Sequence, residues 1–176
     1  QRCIENGKVK TRDLTEADLR PSSDNKPGLS ASERRARHVH AVKEDQSESY
    51  IDKPNLKAEM ANWRFPLHFI DFETVTPAVP IHIGLRPYQS IAFQFSHHTV
   101  QADGGVCHAT NYLDVRPGAF PNFDFLRNLK TALENDNGTI FRYADHENTV
   151  LNHIIDQLNS FGQDEADYEQ LLEFAK

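Results

Sequence analysis

"HFIDFETV", residues 68–75, reads as a buried strand that carries two acids. His68, Phe69, Ile70, Phe72 and Val75 give it a β-rich, mostly apolar character. Charged side chains are rarely buried without a partner. In a strand, residues i and i+2 project from the same face, so Asp71 and Glu73 converge. Two neighbouring carboxylates repel, which raises one pKa unless cations neutralise the pair. Mg²⁺ or Mn²⁺ does this through oxygen ligands. A D-x-E pair is short and common by chance, so its meaning depends on its surroundings.

Downstream, "TPAVPIHIGLRPYQ", 76–89, has three prolines and a glycine and reads as a loop. "SIAFQFSHHTV", 90–100, alternates, with Ile91, Phe93 and Phe95 on one face and Ala92, Gln94 and Ser96 on the other. "QADGG" is a turn, and "VCHATNYL", 106–113, is a third strand antiparallel to the second. "FPNFDFLRNLKTALEND" spaces Phe123, Leu126, Leu129 and Leu133 for an amphipathic helix, which Gly138 is expected to end. "TIFRYA" is a fourth strand. "HENTVLNHIIDQLNSF" is a helix with Val150, Leu151, Ile154, Ile155 and Leu158 inside. The order is β-β-β-α-β-α, an α/β pattern.

Upstream, residues 1–60 read as short helices and linker, an extension to a main domain at 61–176. Thr15 is a helix N-cap before "EADL", "RPSSDNKPG" is a linker, and Ser30 with Glu33 has capping-box spacing. Asp52 caps a further helix whose Leu56, Met60 and Trp63 are expected to pack beside the sheet. Arg34, Arg35, Arg37, His38 and His40 cluster on one helix; a solvated face is the favoured reading over phosphate contact.

Composition narrows the function. Residues 1–60 hold 12 Lys/Arg and 11 Asp/Glu, a balance of +1, and the remainder holds 7 and 15, a balance of −8. A domain this acidic is a poor general polyanion binder but suits carboxylates gathered around divalent cations. No stretch approaches the roughly 20 apolar residues of a membrane span, and no signal segment opens the sequence. Two cysteines, Cys3 and Cys107, are too few for a disulfide framework, so a cytoplasmic location is expected. The sequence opens on Gln and closes inside the helical pattern "YEQLLEFAK", so a fragment of a longer protein is expected.

Three strands, a helix, a fourth strand and an acid opening the next helix resemble the ribonuclease H-like pattern. The DEDD 3′–5′ exonucleases carry D-x-E on the first strand and a second motif, "N-x-x-F-D/E-x-x-x-L", at the helix after strand four. "YADHENTVL" is similar in outline: Tyr143 stands where Asn is common, His146 where Phe is common, Glu147 where the carboxylate belongs, and Leu151 keeps the apolar spacing. "PLHFIDFETVTPAVPIHIGLRPYQSIAFQFSHH" also resembles the signature of a bacterial family of unknown function placed in the same group. The resemblance covers about residues 65–158.

The resemblance implies a ribonuclease H-like mixed sheet with flanking helices and a two-metal site for Mg²⁺ or Mn²⁺. Asp71, Glu73 and Glu147 would be its catalytic metal ligands. Arg86, Gln89 and His146 would contact the substrate, a nucleic acid single-stranded at the scissile end. The fourth carboxylate and the general base of such enzymes come from a later motif, which this sequence lacks, so three of four ligands are expected. A metal-dependent 3′–5′ exonuclease is the leading expectation. A non-catalytic nucleic-acid-binding or protein-interaction module on the same fold is the alternative. His97, His98, Cys107 and His108 fall on adjacent strands and would suit zinc only if the register joined them; their spacing is no zinc signature.

Overall fold

The computed structural model describes residues 2–24, 26, 28–47 and 49–176; Asn25 and Pro27 of the expected linker lie outside the described residues. The chain divides into two compact units, Gln1–Asn62 and Trp63–Lys176.

The first unit is helical: α1 (Arg2–Glu5), α2 (Glu16–Leu19), α3 (Ala31–Lys43) and α4 (Lys53–Met60). The caps act as their sequences require. Ser30 Oγ accepts from the Glu33 backbone N–H, and the Glu33 carboxylate accepts from Ser30 N–H at 2.7 Å, which satisfies two orphan donors at the start of α3. Asp52 caps α4 singly: its carboxylate accepts from the Asn55 backbone N–H at 3.2 Å and from the Asn55 side-chain amide at 2.7 Å. Among the described hydrophobic side chains of this unit only Val39 is buried, and Leu56 and Met60, expected to pack on the sheet, are exposed. Trp63 belongs to the second unit, where its ring meets Phe141 edge-on at 4.9 Å.

The second unit is a mixed α/β fold. Its strands are β1 (Leu67–Val75), β2 (Ile91–Val100), β3 (Val106–Leu113) and β4 (Ile140–Phe141), in the order β3-β2-β1-β4. The meander β1-β2-β3 is antiparallel, and β4 returns parallel to β1 after the helix α5 (Asn122–Leu133). Then come α6 (His146–Phe161) and α7 (Tyr168–Ala175).

Alternation along β1 sorts the faces. Phe72 is buried and pairs with buried Phe95, and the Phe125 ring of α5 meets both edge-on at 4.9 and 5.5 Å. The helices therefore cover this inner face. Phe123, Leu126, Leu129 and Leu133 bury the stripe of α5, and Val150, Ile154 and Leu158 that of α6, as their spacing requires. Each such side chain contributes about 1.5–3 kcal/mol. Leu151 and Ile155 pack at the edge of the same core.

Asn122, fully buried, ties the helices to β2. Its Oδ1 accepts from Ala92 N–H at 2.7 Å, and its Nδ2 donates to the Ser90 carbonyl and to Gln157 Oε1 at 3.0 and 2.5 Å.

Three local expectations change. β2 does not alternate cleanly, because its pairing with β1 shifts between Glu73 and Thr74, so Thr74 sits opposite Ala92. Ala92 is buried with Ile91 and Phe95, while Phe93 is left half-buried. The fourth strand is only Ile140–Phe141, because Arg142 turns back onto Asp145 and the Ala144 carbonyl. Gly138 does not end α5, which stops at Leu133; Gly138 instead passes the Pro66 carbonyl, where a Cβ would lie 2.0 Å from the oxygen.

Candidate metal and substrate site

Asp71 lies opposite Ser96 and Glu73 opposite Gln94, so both acids stand on the outer face of the sheet with Phe69. All three β1 residues are exposed, which is how the strand holds two carboxylates without burying either. Asp71 and Glu73 thus share one face of β1.

Glu147 arrives differently. It sits in the first turn of α6 and is 3 % exposed. It lines a cavity of about 250 Å³ with Ile70, Leu129, Leu133, Ile140 and Leu151, below the inner face. Its Oε2 has no hydrogen-bond partner among the described residues. Because β1 and β4 are parallel, the start of α6 falls at the end of the sheet where β1 finishes. His146 Nε2 reaches to 3.4 Å from Thr74 Oγ1, next in sequence to Glu73. Glu147 therefore lies at the correct end of the sheet but on the opposite side from the pair. Among the described residues, no group of three or more His, Cys, Asp or Glu is arranged to hold a metal ion. Asp71 and Glu73 stand on the outer face of β1, while α6 carries Glu147 into a cavity lined by the inner-face Ile70.

The expected substrate residues lie on a loop and at a helix start. Gln89 Oε1 accepts from the Arg86 backbone N–H at 2.9 Å, so Gln89 closes its own turn. The Arg86 side chain is exposed. His146 is exposed at the start of α6.

The four zinc-capable side chains divide as well. His97 faces inward, His98 and His108 face outward, and Cys107 pairs with the buried Thr99. His97 belongs to a relay that crosses the sheet, with His68 and His97 buried and the two ends, Asp136 and Thr110, exposed. Asp136 Oδ1 lies 2.9 Å from His68 Nε2, His68 Nδ1 lies 2.8 Å from His97 Nε2, and His97 Nδ1 lies 2.9 Å from Thr110 Oγ1. With both rings neutral the chain has one consistent direction. His68 donates to Asp136, His97 donates to His68, and the Thr110 hydroxyl donates to His97. Burial, and then the neighbouring His68, hold the His97 pKa below its usual value. The Asp136 carboxyl is held low by the Gly138 N–H and by His68. The sequence signal for this relay was parity: His68 shares its face with Ile70 and Phe72, so it had to be buried and partnered.

Residues 68–174 match the family described as a domain of unknown function, DUF2779. The chain belongs to the DUF2779 family. The DUF2779 segment runs from the second residue of β1 into α7, so it coincides with the second unit and contains Asp71, Glu73, Glu147 and the His68–His97 relay. Searches of curated proteins and of solved structures return no match.

Proposed function

We propose that this DUF2779 domain is a ribonuclease H-like, divalent-metal-dependent phosphodiesterase module acting on nucleic acid. Four features support the reading. The sheet order β3-β2-β1-β4, with β4 parallel to β1, is that expected of the fold. The D-x-E pair lies on an interior strand and faces solvent. A third acid opens the helix after the parallel strand. The domain's acidic balance suits cation binding better than bulk polyanion binding.

The observation that carries the reading is the Glu147 carboxylate. A buried carboxylate oxygen with no hydrogen-bond partner among the described residues is costly unless a donor or cation compensates it, and Arg142 lines the same cavity without a bond to it. This one lies at the end of the sheet that bears Asp71 and Glu73. Oxygen donors of this kind suit Mg²⁺ or Mn²⁺. Such an ion supplies Lewis-acid polarisation of a phosphodiester when bound. Asp71 and Glu73 would hold it on the outer face, and Glu147 is the further acid at that end of the sheet. His146, exposed beside Thr74, is placed to meet the substrate strand.

The separation of Glu147 from the pair by the sheet favours a second reading, a nucleic-acid-binding module without turnover. Mn²⁺ calorimetry and end-labelled single-stranded DNA and RNA decide between them, with Asp71→Asn and Glu147→Gln as variants. The phosphodiesterase reading expects Mn²⁺ binding that both variants weaken, and Mn²⁺-dependent shortening from the 3′ end that both abolish. Binding of oligonucleotide without cleavage supports the second reading. Mn²⁺ affinity unchanged in Asp71→Asn refutes the metal site.

A further inference from the structure

On the outer face, His98 of β2 and His108 of β3 are direct register partners. Their rings stack at a centroid distance of 4.6 Å with planes 20° apart. Both are exposed, and neither ring takes a hydrogen bond from another described residue. The contrast with His68 and His97, whose four ring nitrogens are all engaged, is complete.

A bulge produces this pairing. His97 lies opposite Thr110, but the next pair is His98 with His108, so Ala109 is extra on β3. Were the register of His97 with Thr110 continued unbroken, Ala109 would oppose His98, and His108 would face inward opposite Thr99. The bulge therefore does two things together. It keeps Thr110 under His97 and turns His108 outward over His98. On the other side of His98, its β1 partner Phe69 stacks on Phe141 at 5.1 Å, which limits where the His98 ring can go.

We propose that His98 and His108 form a cross-strand chelate for a borderline transition-metal ion such as Cu²⁺, Ni²⁺ or Zn²⁺. Neutral imidazole suits these ions, whereas Mg²⁺ and Mn²⁺ prefer carboxylate oxygen. Rotation of the two stacked rings about χ2 would aim one free nitrogen of each at a common ion, and the remaining coordination positions would stay open to water or a ligand. The ion would also cross-link β3, an edge strand with most of its side chains exposed, to the interior strand β2. An ion that binds only the folded form stabilises it by mass action. This proposal uses neither Asp71 nor Glu73 and stands independently of the phosphodiesterase reading.

The test uses the full chain with Cu²⁺ and Ni²⁺ as probes, followed by calorimetry, and by electron paramagnetic resonance for Cu²⁺. The expected result is a one-to-one complex with two coupled nitrogens and a raised melting temperature. H98A and H108A should each lose the two-nitrogen signature and the thermal shift, while far-ultraviolet circular dichroism confirms that both variants remain folded. H153A is the control and should keep both. Asp71→Asn should leave Cu²⁺ binding intact, so this proposal and the Mn²⁺ site fail separately. Unchanged Cu²⁺ binding in H98A and H108A, or a spectrum with fewer than two nitrogens in the unaltered chain, overturns it.

Discussion

Acidification should destabilise the second unit, and His97 is the residue to alter. Its folded-state pKa lies below the ordinary histidine value of 6.5, because burial disfavours the imidazolium and His68 adds to the effect. The sign follows from linkage. Above about pH 6.5 both folded and unfolded forms carry neutral His97, and its full contribution to stability is present. As pH falls below that value the unfolded chain takes up the proton first, so stability is lost down to the folded pKa. One such group changes stability by at most about 1.4 kcal/mol per pH unit in this window. The perturbation is His97→Leu, which keeps an inner-face side chain apolar. It leaves the buried His68 Nδ1 without its donor, at a cost of about 1–3 kcal/mol at pH 8. It also removes one titrating group. Urea unfolding followed by Trp63 fluorescence, at pH 8, 6.5 and 5, reads both effects; Trp63 is the chain's one tryptophan and packs on Phe141 in this unit. The variant should be less stable at pH 8 and show a shallower loss toward pH 5. An equal slope in the two proteins would refute the relay as the source of the acid sensitivity.

Two further perturbations test how the site is held. Asn122→Ala should destabilise by about 3 kcal/mol or more, because it strands the buried Ala92 N–H and the Gln157 amide oxygen, and denaturant midpoints measure this directly. Gly138→Ala should destabilise more than an exposed alanine substitution such as Asn135→Ala, since the new methyl would meet the Pro66 carbonyl at 2.0 Å and His68 Nε2 at 2.7 Å; thermal melts of the two variants make the comparison.

Local chemistry made most of the fold readable. Ser30 and Asp52 cap helices because their side chains meet nearby backbone groups, and at Thr15 the Asp18 carboxylate accepts from the Thr15 N–H and hydroxyl, so sequence spacing suffices. The stripes of α5 and α6 and the D-x-E convergence follow from fixed periods. What sequence did not reveal depends on distant partners. Asp136 meets His68 across 68 positions, and no period links them. The two bulges, at Glu73/Thr74 and His97/His98, break alternation where composition gives no warning. Glu147 was placed at the right end of α6, but the side from which that helix approaches β1 is set by packing of the whole core.

That last point bears on chemistry. A strand that ends beside a helix start can bring acids from its two faces together only if its tip bends. The pairing shift directly after Glu73 lies at this tip, with Phe93 the extra residue on the neighbouring strand β2. Bulges increase local twist and re-aim side chains, and they recur beside active sites. Thr74, the residue after the shift, is the one that touches His146, so the bend and the helix start already meet. The Glu147 oxygen without a partner lies one residue further along α6. If a cation draws the three carboxylates together, the movement falls on this short junction, while the Phe72–Phe95–Phe125 packing beneath it stays fixed. Added Mn²⁺ should then slow amide hydrogen exchange around Thr74 and His146 while leaving the centre of β2 unchanged. Protection spread evenly over the sheet would place the ion's effect elsewhere than at this junction.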